Sequence, residues 1–91
     1  MKKEDFKFDR KETPENHEDY WFKISGDSQK ELTDKYMEQS IVSVTECVYS
    51  MDEDIVEVKK LFPFNEYCSL VDPDNDDGLK DILKSIVEEL K

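Results

Sequence analysis

The segment DSQKELTDKYMEQSIVSVTECVYSM, Asp27 to Met51, decides how the rest of the chain must be arranged. Ser28 followed by Glu31 has the form of a capping box, in which a hydroxyl and a carboxylate satisfy two orphan N–H groups of a first helical turn. Leu32, Tyr36, Met37, Ile41, Val44, Val48 and Met51 then recur at three- and four-residue steps. That spacing predicts one apolar stripe along a central helix of about 24 residues, roughly 35 Å long. A conflict sits inside it. Ile41 to Ser50 is rich in β-branched residues, which favour strands, and the rival reading ends the helix near Gln39 and makes 41–50 a strand. The unbroken helical spacing, against an alternation that fails at Glu46, favours the helix.

Upstream, Phe6 and Phe8 alternate with Lys7 and Asp9, and Tyr20, Phe22 and Ile24 alternate with Trp21, Lys23 and Ser25. Both read as half-buried strands, joined through the polar, proline-containing 13–18 segment into a long-looped hairpin. Downstream, Asp52-Glu53-Asp54 precedes Ile55, Val56, Val58, Leu61 and Phe62, with Lys59-Lys60 before Pro63. Acids first, lysines last and a terminal proline suit a short second helix. Asn65 to Val71 has room for one short strand or an ordered loop. Leu79, Ile82, Leu83, Ile86, Val87 and Leu90 give a C-terminal amphipathic helix. The expected fold is a single α+β domain over residues 1–91: an N-terminal β-hairpin packed on a long central helix, then a short second helix and the C-terminal amphipathic helix.

Composition narrows function more than motifs do. Of 91 residues, 24 are acidic and 13 basic, a net charge of −11. Direct nucleic-acid binding through phosphates needs a basic patch, and anionic membranes repel such a chain. No apolar run follows the N-terminal lysines and none approaches the length of a membrane span, so a cytoplasmic protein is expected. Cys47 and Cys68 form no paired motif and read as reduced, buried thiols.

Catalytic chemistry has little to stand on. His17 is the sole histidine and lies in a polar loop, and Gly26 and Gly78 are the only glycines, so no phosphate-cradling loop exists. Asp72, Asp74 and Asp76 imitate the opening of a calcium loop. Asp77 then stands where the turn glycine is needed, and Leu83 where a bidentate glutamate is needed. No enzyme, metal or cofactor is expected.

Charge location is the remaining signal. Residues 1–25 carry −1, whereas 26–51, 52–71 and 72–91 carry −3, −3 and −4. Glu31, Asp34 and Glu38 share a face of the expected central helix at rises of about 4.5–6 Å, comparable in scale to the 3.4 Å charge spacing of a DNA strand. Asp52, Glu53, Asp54 and Asp72, Asp74, Asp76, Asp77 add two dense clusters, and Trp21, facing away from the apolar side of its strand, is a candidate anchor. Structural cover of Trp21 by the 12–18 loop, or by Phe64 and Tyr67, is the competing reading. The expected function is a non-enzymatic inhibitor whose acidic surface mimics nucleic acid and binds a basic nucleic-acid-binding protein. In composition alone it resembles phage-encoded anti-defence and anti-CRISPR inhibitors. An immunity protein or antitoxin bound to a dedicated toxin is the alternative, and acidity that merely keeps the domain soluble is the plain competitor.

Overall fold

The structure, a computed structural model, describes residues 1–13, 15, 18–37, 41–60, 68–70 and 76–91, with backbone only at residues 60 and 68–70. A short 3-10 turn, Lys3–Asp5, leads into β1 (Phe6–Glu12) and β2 (Asp19–Ile24). Helix α1 (Gly26–Tyr36) follows, then β3 (Val44–Ser50), β4 (Ile55–Lys60), β5 (Cys68–Leu70) and the C-terminal helix α2 (Asp77–Leu90). The five strands form an antiparallel sheet in sequence order, β1-β2-β3-β4-β5. The domain is α+β, but a sheet organises it and no long central helix does.

Two expectations are overturned. The helix expected over 27–51 stops at Tyr36, and Val44–Ser50 is the middle strand of the sheet. Of the short helix expected over 52–62, residues 52–54 form a turn and Ile55–Lys60 is strand β4, while residues 61 and 62 lie outside the described residues. The first error has an identifiable cause. The β3–β4 register shifts between Val44 and Glu46, a bulge that adds one residue to β3. Val44 and Cys47, three residues apart, therefore both reach the core, and both are fully buried. A bulged strand thus reproduces a helical step, and the broken alternation at Glu46 is the bulge. In β4 alternation was masked because both faces carry apolar residues: Val56 and Val58 face the core, while Ile55 faces outward.

The capping box is not used either. Ser28 is buried, and its Oγ accepts from the Lys2 amide at 2.8 Å. The Ser28 N–H instead donates to Asp5 Oδ2 at 2.9 Å, so α1 is capped by a carboxylate from another part of the chain. That bond holds the Asp5 carboxyl below its ordinary range, with Ser28 as the main cause.

One face of the sheet makes the core. Tyr20, Phe22, Ile24, Tyr49 and Val56 pack with Leu32 and Tyr36 of α1 and Leu79, Leu83 and Val87 of α2. The helix spacing explains the fit: the buried positions of α2 lie three and four apart on one side. Both helices therefore lie against the same face. Cross-strand partners on the other face form three rows: Lys7, Lys23, Glu46 and Lys59; Arg10, Trp21, Val48 and Glu57; and Glu12, Asp19, Ser50 and Ile55.

Candidate protein-binding surface

The acids singled out from sequence meet different fates. Glu38, Asp72 and Asp74 lie outside the described residues. Glu31 is exposed, with Oε2 3.5 Å from the N-terminal amine, and Asp34 pairs with Lys30 one turn earlier at 2.9 Å. Asp54, at a left-handed φ of 54°, closes the β3–β4 turn. It accepts from the Tyr49 hydroxyl at 3.0 Å and stands 3.2 Å from Lys84 and 3.6 Å from Lys80. Desolvation raises its pKa, but the Tyr49 and Lys84 hydrogen bonds and the two lysine charges outweigh it and leave the carboxyl below its ordinary range.

Asp76 cannot belong to an external surface. It is 8% exposed and is the N-cap of α2: Oδ1 accepts from the Leu79 amide at 3.1 Å. Oδ2 takes the Lys35 ammonium and, at 3.3 Å, the Tyr36 hydroxyl. Burial raises its pKa, yet the Lys35 bond and the Leu79 amide prevail and lower it. Burial is also the first cause that lifts the Tyr36 hydroxyl to about 12.

Asp52, Glu53 and Asp77 remain exposed and make no ion pair among the described residues. The sequence reading missed two companions, Asp81 and Glu88, which are likewise exposed and outside any ion pair among the described residues. At about 100° per residue, Asp77, Asp81 and Glu88 fall within roughly 40° of one line along α2, opposite its buried side. Asp54 bridges to Lys80 and Lys84, so the Asp52–Glu53 turn is held beside that helix. The result is a band that is acidic along Asp77, Asp81 and Glu88, with Lys80 and Lys84 standing between that row and the turn. The signal of these acids in the sequence is the set of polar positions on the terminal helix, where spacing alone does not separate paired from unpaired acids.

Trp21 faces away from the core, half-buried in the middle row of the outer sheet face. Arg10 stands 3.8 Å and Lys59 4.1 Å from its ring centroid, so two cations flank one indole. Of the covers suggested from sequence, Phe64 and Tyr67 lie outside the described residues. The flanking cations come from β1 and β4, which cross-strand register alone brings near β2.

Nucleophile chemistry has one described thiol. Cys47 is fully buried, and that burial pushes its pKa well above the ordinary thiol value. His17 and the Cys68 side chain lie outside the described set. Among the described residues no three His, Cys, Asp or Glu side chains are placed to hold a metal ion, and no helix is long and apolar enough to cross a membrane. Comparison of the chain with protein-family models, with curated proteins and with solved structures finds no match.

Proposed function

We propose that this protein is a non-enzymatic inhibitor or regulator that docks an acidic surface onto the basic, nucleic-acid-facing surface of a partner protein. One observation carries this reading: with a net charge of −11, the acids outside any ion pair among the described residues include a row on the outer line of α2 near the Asp52–Glu53 turn. Elsewhere, lysines already answer several acids, as with Asp27 and Lys2, Asp34 and Lys30, and Glu89 and Lys3. The band carries charge at rises of about 6 Å from Asp77 to Asp81 and about 10 Å from Asp81 to Glu88. Such a field steers a basic partner and raises its on-rate, and it is screened by salt.

Immobilised protein is used to capture partners from nuclease-treated host lysate, and the affinity of the recovered partner is measured between about 50 and 500 mM salt, across which the Debye length falls from roughly 14 to 4 Å. Binding weakens at least tenfold over that range and is displaced by duplex DNA. An affinity indifferent to both salt and DNA would sink the mechanism. A second measurement locates the surface. The variant D77N/D81N/E88Q, altered only at exposed positions, slows association by about tenfold with little change in dissociation. Neutralising Asp34 and Glu31, already answered by Lys30 and the N-terminal amine, has a smaller effect. Equal effects of the two sets would place the contact elsewhere.

A further inference from the structure

On the outer face of the sheet, Asp19, Ser50 and Ile55 form one cross-strand row, and Val48 and Glu57 belong to the next. With Glu53 from the β3–β4 turn, these residues line a hollow of ≈ 60 Å³. Its lining combines the apolar Val48 and Ile55 with three carboxylates, Asp19, Glu53 and Glu57. Ser50 supplies an independent sign that something binds there. The residue is 6% exposed, and its Oγ is buried with no hydrogen-bond partner among the described residues. A buried hydroxyl left without a partner is costly, and the hollow is the space where a partner can come from.

We propose that this hollow receives the guanidinium group of an arginine side chain presented by the basic partner. This deepens the docking reading above and rests on it; the hollow opens on the sheet face away from α2, so it is a contact separate from the acidic row on that helix. Size favours a guanidinium. One water needs about 10–15 Å³ of such space, so the hollow holds four to six waters, comparable to the four heavy atoms of the group. Shape and chemistry favour it too. A guanidinium is planar and weakly hydrated, offers five N–H donors in a fixed fork, and rests its faces on apolar groups. Val48 and Ile55 suit the faces, while the carboxylates of Asp19, Glu53 and Glu57 and the Ser50 hydroxyl oxygen suit the edges. A metal ion does not fit, because the carboxylates do not converge as a ligand set. Asp19 and Glu57 have contacts of their own, so the incoming group shares them. Lysine presents a compact, strongly hydrated point charge and uses the fork-shaped site poorly.

The test uses the full chain, isotope-labelled, with methylguanidinium and methylammonium chlorides at equal ionic strength, then hexa-arginine and hexa-lysine peptides. Methylguanidinium shifts the backbone amides of Asp19, Val48, Ser50 and Glu57 at millimolar concentration, and methylammonium does not. Hexa-arginine binds about tenfold more tightly than hexa-lysine, and both Ser50→Val and Glu53→Gln cut that ratio to about twofold. Glu53 lies in an exposed turn, so its variant keeps the test open even if Ser50→Val folds poorly. Equal binding of the two peptides, or a ratio untouched by Glu53→Gln, overturns the proposal. If both peptides and the partner then still bind in a salt-dependent way, the hollow is refuted and the acidic surface stands. If methylguanidinium maps to the hollow while partner binding ignores salt and the α2 substitutions, the docking reading fails, and with it the partner's arginine.

Discussion

Replacing Asp76 by alanine lowers the unfolding free energy by about 3 kcal/mol, from three sources. Loss of an N-cap side chain costs about 1 kcal/mol. The Tyr36 hydroxyl, in a residue only 2% exposed, loses its acceptor, and a buried unsatisfied group of this kind costs about 1–3 kcal/mol. The Lys35 ammonium loses its carboxylate but can rehydrate, because its side chain is 48% exposed. That keeps the total below the roughly 3–5 kcal/mol that breaking a fully buried pair would add by itself. For a domain of this size the change moves the unfolding midpoint by roughly 12–24 °C. Asp76→Asn separates cap from charge, because its amide oxygen still accepts from Leu79 but no longer answers Lys35. A loss below about 1 kcal/mol for Asp76→Ala in urea denaturation would show that the cap and the Tyr36 bond are dispensable.

The same carboxyl sets an acid limit. Its folded pKa lies below the ordinary carboxylate value, so the unfolded chain binds the proton more readily. Its contribution is fully present above the unfolded pKa near 4 and is lost as pH falls through the lower folded value. Asp5 and Asp54 shift in the same direction and steepen the decline. The gap in stability between wild type and Asp76→Asn therefore narrows as pH drops below about 4.

Asp76 also shows what could be read from sequence and what could not. The amphipathic pattern of the terminal helix was legible, and so was the placing of acids at its start. That one aspartate in an acidic run would turn inward was not, since its partners Lys35 and Tyr36 lie about 40 residues away. Strand β2 was legible because its alternation is clean, with Tyr20, Phe22 and Ile24 all buried, whereas in β1 Phe6 is buried and Phe8 is 39% exposed. β3 was lost to its bulge, which breaks the alternation at Glu46 and leaves the helical spacing of Ile41, Val44, Val48 and Met51 as the more regular pattern. The candidate surface suffered similarly. Charge totals pointed to the C-terminal half, yet which carboxylates stay outside ion pairs depends on tertiary contacts such as Asp54 with Lys84. The arginine hollow depends on pairing β2, β3 and β4 in one register, which no local pattern encodes.

Gly26→Ala should be as damaging as the loss of Asp76, although it adds a single methyl group to an exposed position. Gly26 sits at φ 64°, where an L-residue pays about 1–2 kcal/mol. The new Cβ would lie 2.5 Å from Asp5 Oδ1 and 2.9 Å from Asp5 Cγ, closer than any real contact allows. Asp5 is not a free end that can swing away. Its carboxylate caps the Ser28 amide, and its carbonyl accepts from the Ser25 amide at 2.9 Å. Relieving the clash therefore uncaps α1 and leaves the Ser28 N–H unsatisfied in a residue only 1% exposed, worth about 1–3 kcal/mol more. Reduced freedom of the unfolded chain returns about 0.4–1 kcal/mol, leaving a net loss of about 3 kcal/mol. A double-mutant cycle separates the contributions. In an Asp5→Ala background the clash and the cap are already gone, so Gly26→Ala costs only its dihedral strain. The two substitutions together then destabilise by at least about 1 kcal/mol less than their sum. Full additivity would mean that the Asp5 carboxylate does not hold the start of α1, and the N-terminal turn would then be a passive lead-in to β1.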